Sequence, residues 1–185
     1  MNRQQLINIH LILAGLLLPA IMMFAITGGL YTWGVKGGYE SQTYKLPLSE
    51  PLNGDLASLV SFTQSELDKQ QQSYPTGGAK LKSDAHRHAL EWTGSQLDVA
   101  LSSDKDSKLA VLEVKHTSSY RHLVQLHKAK GGYPFKVYAA ILAIALLVIL
   151  ISGLIMAWNM PKYHERTAVA LVSGVCVWLL VVLIS

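Results

Sequence analysis

Three apolar runs dominate this sequence, and each is long enough to cross a lipid bilayer as a helix. A helix rises about 1.5 Å per residue, so about 20 residues cross the roughly 30 Å hydrocarbon layer. The runs cover residues 4–35, where no residue carries a formal charge, residues 137–160 and residues 167–185. We therefore predict three transmembrane helices, with the lipid bilayer as a partner of the chain.

The first run could also be a cleaved signal peptide, because Arg3 gives it a short basic start. However, the run is longer than the usual apolar core of a signal peptide, and it continues into Gly-Gly-Leu-Tyr-Thr-Trp without an Ala-x-Ala cleavage site. These features favour a retained membrane helix.

Charge is concentrated between the first two apolar runs. Only 15% of the residues are charged, whereas soluble domains carry about 25%, and nearly all of the charges lie between Lys36 and Lys136. Basic residues there are scattered and nearly balanced by acidic ones, so the basic stripe of a nucleic-acid surface is missing. We predict an aqueous domain in this segment and no nucleic-acid partner.

The polar segment has the pattern of a small α+β domain. Leucines and Val60 recur near a helical period in residues 55–72, with Asn53 or Asp55 as the candidate N-cap. Short alternating patterns then predict three or four strands, with candidates at 79–83, 88–93, 96–102 and 109–116. A helix followed by antiparallel strands buries one face of the sheet against the helix.

These patterns predict an α-helical membrane protein with an inserted α+β domain. Residues 1–36 form the first transmembrane helix and residues 37–135 form the α+β domain. Residues 136–185 form the second and third helices, joined by a short loop at 161–166.

Charge alone does not decide which side of the membrane each part occupies. Arg3, Lys162 and Arg166 favour a cytoplasmic N-terminus and a cytoplasmic loop between the second and third helices. Four lysines lie next to the membrane on the opposite side: Lys36, Lys128, Lys130 and Lys136. Because juxtamembrane cations also influence orientation, the two sides are nearly balanced.

Short motifs around the first two helices are similar to those of a known family. They are His10 followed by Gly15, Thr27-Gly28, Leu126-His127, Gly131-Gly132, Ser152-Gly153 and Trp158. In these motifs and in its order of parts, the chain resembles the PepSY-associated transmembrane family over most of its length. The resemblance implies a bacterial inner-membrane protein with a cytoplasmic N-terminus, a periplasmic PepSY-like domain at residues 37–135 and a cytoplasmic loop at 161–166.

The resemblance also implies a cofactor, because larger relatives include inner-membrane reductases that release iron from siderophores with haem held by membrane histidines. Haem b is therefore a candidate cofactor, and His10, His127 and His164 are the candidate ligands. This chain has fewer spans and fewer membrane histidines than those reductases, which weakens the expectation of independent haem reduction.

Helix length limits how these histidines could share a haem. His10 begins the first apolar helix, where an ionisable side chain is a functional hypothesis by default, although a bond to water or a lipid headgroup is the plainer alternative. His127 precedes the second helix and so lies at the opposite membrane face, roughly 30 Å away. One chain therefore cannot place both on one haem. His10 with His164, or His127 with its counterpart in a second copy, are the remaining pairs.

No other motif predicts catalysis. His86, His88 and His116 lie near predicted strand ends and are expected to be surface histidines rather than metal ligands. His164-Glu165 lacks the second histidine of a zinc-protease motif, and the sequence contains no nucleophile elbow, phosphate-binding loop or dinucleotide-binding glycine motif. We therefore expect no metal site and consider an enzyme the weaker hypothesis.

Three functions are compatible with these features. The favoured one is an accessory inner-membrane protein that binds a partner protein through its periplasmic domain and packs against partner helices or a second copy in the membrane. The second is a haem b protein that transfers electrons toward ferric siderophores. The third is a regulator or inhibitor of a periplasmic peptidase. The clear membrane anchor and the absence of a catalytic motif favour the first.

Overall fold

The computed structural model describes residues 3–84, 86–104 and 107–185. This part of the chain forms five helices and five strands: α1 (Arg3–Thr32), β1 (Tyr39–Pro47), α2 (Leu56–Lys69), β2 (Ala79–Leu81), β3 (Arg87–Thr93), β4 (Leu97–Asp104), β5 (Leu109–Thr117), α3 (Ser119–His127), α4 (Gly132–Trp158) and α5 (Pro161–Ile184). They belong to two compact units, one made of residues 1–21 and 140–185 and the other of residues 22–139.

The long helices α1, α4 and α5 correspond to the three predicted spans. Their apolar stretches contain 29, 27 and 24 residues, more than the roughly 20 that hydrocarbon requires. Both α4 and α5 begin several residues earlier than the sequence suggests, at Gly132 and Pro161. The structure therefore fits a membrane protein with an inserted α+β domain.

The loop predicted at residues 161–166 is wrong, because these residues form the start of α5. Our prediction treats Pro161 only as a stop signal for the preceding helix. Proline also suits the first turn of a new helix, where its missing N–H needs no partner and its φ is already helical. The connection between α4 and α5 is therefore only Asn159 and Met160.

A Schellman turn ends α1 and satisfies two of its last carbonyl groups. Gly34 has a φ of +82°, which glycine adopts without a Cβ clash. Its N–H donates to the carbonyl of Tyr31, and the N–H of Val35 donates to the carbonyl of Leu30, each at 3.0 Å. The backbone alone therefore terminates this helix.

The five strands form one antiparallel sheet in the order β1-β5-β4-β3-β2. The sequence predicts three or four strands here, and all four candidate segments form strands, β2 to β5. Sequence pattern does not predict β1, because most of its side chains are polar and exposed. It forms by pairing along β5, from Tyr39 opposite Thr117 to Pro47 opposite Leu109.

The helix α2 forms the hydrophobic core with the sheet. Of the two candidate N-caps, Asp55 is the one that caps the helix, since its side chain accepts a hydrogen bond from the Ser58 N–H at 3.0 Å. Hydrogen bonding to Ser58 also lowers the pKa of the Asp55 carboxyl. On the apolar side of α2, Leu59 and Leu67 are fully buried in a cluster with leucines and valines of β3, β4 and β5.

The short helix α3 is a second element that sequence pattern does not predict. Ser118 caps it by accepting a hydrogen bond from the N–H of Arg121. With nine residues, of which Val124 and Gln125 are the buried ones, it is shorter than the roughly 11 or more residues over which a helical period is read. Because α3 ends at His127, it carries one of the candidate haem ligands to the start of α4.

Candidate functional site

His127 pairs with a hydroxyl group on α1. Its Nδ1 lies 3.0 Å from Oγ1 of Thr27, and the same hydroxyl donates to the carbonyl of Met23 at 2.6 Å. A hydroxyl has only one hydrogen to donate. In this arrangement Nδ1 of His127 therefore donates to Thr27, and Nε2 makes no hydrogen bond to the described residues.

A glycine and an aromatic ring fix the position of the His127 ring. A Cβ added at Gly28 would lie 3.0 Å from Cε1 of His127, so glycine permits this close approach. The Phe24 ring centroid is 5.1 Å from that of the imidazole, with a 43° tilt. Thr27 itself is only 2% exposed. The imidazole therefore packs directly on the Thr27-Gly28 pair.

His10 makes a similar pair in the other compact unit. Its Nδ1 lies 2.9 Å from Oγ of Ser152, and the Ser152 hydroxyl donates to the carbonyl of Ile149 at 3.0 Å. Ser152 is buried, and a Cβ at Gly153 would lie 3.5 Å from Cε1 of His10. His10 thus also uses Nδ1 for a hydroxyl group and leaves Nε2 without a hydrogen bond to the described residues.

His164 has a different environment. It lies near the start of α5, where its ring meets Trp158 edge-on with the centroids 4.3 Å apart. Within the described residues no hydrogen bond or ring contact joins His164 to His10. No contact between His10 and His164 therefore supports a haem shared by these two residues. Ligation by His10, His127 or His164 stays a prediction.

The two hydroxyl pairs have the form expected of histidines prepared to bind a metal centre. Ligating histidines usually donate their second ring N–H to an oxygen, which fixes the tautomer and the ring orientation. Here Thr27 and Ser152 provide that oxygen, and Nε2 of each imidazole has no hydrogen bond to the described residues. Haem ligation through these nitrogen atoms stays a prediction, and His10 and His127 would be the residues that hold the group.

The hydroxyl partners are the part of the site that sequence reasoning misses. The Thr-Gly and Ser-Gly pairs are recognisable as family motifs, but nothing local connects them to histidines that lie 100 and 142 positions away. The available signal is a hydroxyl residue in each of two apolar helices, since such a side chain needs a partner in lipid.

A second candidate site is a groove on the sheet face opposite α2. Its volume is about 410 Å³, and its walls include Ser41, Glu91, Ala100, Glu113, Lys115 and Lys130. The charges are arranged in pairs: Lys115 lies 2.9 Å from Glu113, and Lys130 lies 3.7 Å from Asp98. The groove is therefore polar and carries both signs of charge.

A partly buried polar network closes one end of the groove. The Tyr39 hydroxyl and the Gln125 amide each donate to Oδ2 of Asp98 at 3.0 Å. Arg121 on α3 donates to the Tyr39 hydroxyl at 2.6 Å. Burial raises the pKa of the Tyr39 hydroxyl, and the hydrogen bond from Arg121 opposes this effect. The network joins α3 to the end of the sheet.

Metal-binding clusters are a separate question from haem. No group of three or more histidine, cysteine, aspartate or glutamate side chains that could hold a metal ion occurs in the described part of the chain. His86, His88 and His116 therefore join no such group.

Three long apolar helices with an antiparallel sheet between the first two define the class of this chain as a multi-span membrane protein with an inserted α+β domain. The model of the family described as the PepSY-associated TM region matches residues 1–162. The chain belongs to this family, as its helix motifs suggest. No curated protein and no solved structure matches it.

Proposed function

We propose that this chain is an accessory protein of the bacterial inner membrane that binds a partner polypeptide in the periplasm. Residues 37–135 form the periplasmic PepSY-like domain, here called the sheet domain, and the N-terminus lies in the cytoplasm. The groove on the open sheet face carries the proposal. Membership of a PepSY-associated membrane family supports the setting.

The groove suits an extended peptide segment. Ser41 and Ala100 are small side chains in its wall and allow a second backbone to approach closely. Neighbouring strands lie about 4.8 Å apart, so four strands offer roughly 15 Å, the length of four or five extended residues. Paired charges of both signs match a polypeptide with charges of its own better than a lipid tail or a nucleic acid.

The membrane helices offer a second contact surface. No side chain of α5 is buried within the described chain. We propose that α5 packs against helices of the partner or of a second copy, which would give the accessory role a membrane component.

A photo-crosslinking side chain at Ser41 tests the groove in intact cells. Ser41 is exposed and lines the groove, whereas Ser65 is exposed on α2 and serves as the matched control. We expect a discrete adduct of the full chain from position 41 and none from position 65. Lys115→Glu should weaken the adduct, because it places a second negative charge beside Glu113.

The identity of the adduct separates the binding functions. A peptidase in the adduct would favour a regulator or inhibitor of a periplasmic peptidase, and another periplasmic or membrane protein would favour the accessory role. Equal adducts from both positions, or none from either, would show that the groove is not the binding surface.

The hydroxyl pairs favour a second candidate function, that of a haem b electron-transfer protein linked to ferric-siderophore reduction. His10 and His127 would each supply one imidazole through Nε2, held in place by Ser152 and Thr27. Bound haem would supply a one-electron redox couple. His164 has no such hydroxyl partner among the described residues and is the weakest of the three predicted ligands.

The absorption spectrum of the purified full chain after haem supplementation tests this second function. We expect a Soret band that falls in His10→Ala and in His127→Ala and disappears in the double variant. His164→Ala, as the comparison variant, should keep most of the band. A missing band in the unmodified chain, or a full band in the double variant, would rule out these ligands.

A further inference from the structure

We propose that Lys36, Lys128 and Tyr31 bind the phosphate headgroup of an anionic phospholipid at the end of α1; we call these residues the lysine–tyrosine site. With the sheet domain in the periplasm, these lysines lie on the side of the membrane that usually carries fewer cations. The inference does not depend on the occupant of the groove or on haem.

Both lysines converge on one aromatic ring. Nζ of Lys36 and Nζ of Lys128 each lie 5.6 Å from the centroid of the Tyr31 ring. A ring attracts each ammonium group through its quadrupole, but two ammonium groups near the same ring repel each other. A bound anion would offset that repulsion, and a phosphate has enough acceptor oxygens for hydrogen bonds from both ammonium groups.

No other role in the described structure occupies these ammonium groups. The ion pairs among the described residues use other lysines and arginines, so Lys36 and Lys128 have no carboxylate partner there. They are not needed to complete the end of α1 either, because the N–H groups of Gly34 and Val35 already bind its carbonyls of Tyr31 and Leu30. The two cations are therefore available to a ligand.

The backbone that carries the lysines is held in place. Arg121 donates to the carbonyl of Lys36 at 3.0 Å, and the Tyr120 hydroxyl donates to the carbonyl of Val35 at 3.2 Å. Lys128 is the C-cap residue of α3. Because α3 anchors both lysines, the site needs only side-chain ordering to bind an anion.

The position along α1 identifies the anion. Tyr31 lies in the last turn of α1. Trp33, the first residue after this helix, is 88% exposed. Tyrosine and tryptophan at the end of a span are typical of headgroup depth. Phospholipid phosphate is the anion concentrated at that depth, and anionic lipids attract juxtamembrane lysines. An anionic phospholipid is therefore the ligand that we assign.

Native mass spectrometry of the full chain in neutral detergent tests the lysine–tyrosine site. The probes are phosphatidylglycerol, phosphatidylcholine and inorganic phosphate, added separately. We expect one phosphatidylglycerol to bind in preference to phosphatidylcholine. Lys36→Gln with Lys128→Gln should weaken its binding roughly 25-fold, given about fivefold for each lysine near an anionic lipid.

Two further variants separate charge from folding. Lys45→Gln with Lys80→Gln removes two exposed strand lysines and should leave binding unchanged. Lys36→Arg with Lys128→Arg keeps the charges and should keep the lipid, even if the glutamine variant folds poorly. Unchanged binding in the glutamine variant, loss of binding in the arginine variant, or equal binding of inorganic phosphate and phosphatidylglycerol would each overturn the proposal.

Discussion

The sheet domain and helix α5 differ in what removes their apolar side chains from water. In the sheet domain Leu67 and Leu112 are 0% exposed, whereas Leu180 on α5 is 59% exposed. The sheet domain therefore has a core of its own, and α5 depends on lipid or on another helix. A buried polar side chain in an apolar helix usually serves a specific contact, and Thr27 and Ser152 each contact a histidine.

The largest expected effect concerns the sheet core. Leu67→Ala should lower the free energy of unfolding of the sheet domain by about 2–5 kcal/mol, because the buried side chain leaves a cavity. Leu180→Ala on α5 should change stability by less than about 0.5 kcal/mol in detergent. Thermal unfolding followed by near-ultraviolet circular dichroism measures both, and similar losses would remove the distinction between the two regions.

Next in size is the hydroxyl group that binds His127. Thr27→Val should cost about 1–2 kcal/mol, because Nδ1 of the imidazole loses its partner. Thr32→Val on the same helix is the matched control, since that exposed hydroxyl donates only to the carbonyls of Gly28 and Gly29. Denaturant unfolding in mixed micelles compares the two. A Thr32 variant as unstable as the Thr27 variant would mean that the histidine contact is unimportant.

A smaller effect separates the two glycines beside the histidines. Gly28→Ala should cost about 1 kcal/mol, because the methyl group presses on the His127 ring. Gly153→Ala should change stability by less than about 0.5 kcal/mol, since its Cβ would make ordinary contact with His10. The ¹⁵N chemical shifts of the two imidazoles, compared with those of the unmodified chain, report how strongly each substitution disturbs the neighbouring histidine ring. Equal shifts in both variants would contradict the difference in packing.

The smallest predicted effect is a gain in stability. Ala129 follows α3 with a φ of +58°, a left-handed conformation that glycine adopts more easily. Ala129→Gly should therefore stabilise the sheet domain by about 0.5–1 kcal/mol. Thermal unfolding provides the measurement, and a lower melting temperature would show that the left-handed residue is not strained.

The sequence predicts the elements whose pattern is strong over many residues. The three apolar helices, the α2 helix with its Asp55 cap and the strands β2 to β5 all have such a pattern. The elements that it misses, β1 and α3, are polar segments held by tertiary contacts. The strand β1 depends on pairing with β5, and α3 depends on the network around Asp98.

For the candidate site, the sequence identifies His10 as an ionisable residue at the head of an apolar helix, and His127 through the family motif Leu126-His127. It does not identify Ser152 and Thr27 as their partners, since contacts across more than 100 residues leave no local periodicity. The sequence does not predict the groove either, because its wall combines residues from strands that are distant in sequence, such as Ser41 and Ala100.

The central claim, that the sheet domain lies in the periplasm and presents its groove there, is tested most directly by labelling Ser41→Cys in a Cys176→Ser background. A membrane-impermeant maleimide is added to intact spheroplasts, before and after lysis. We predict full labelling of position 41 before lysis. Labelling that occurs only after lysis would place the groove in the cytoplasm and contradict the proposed function.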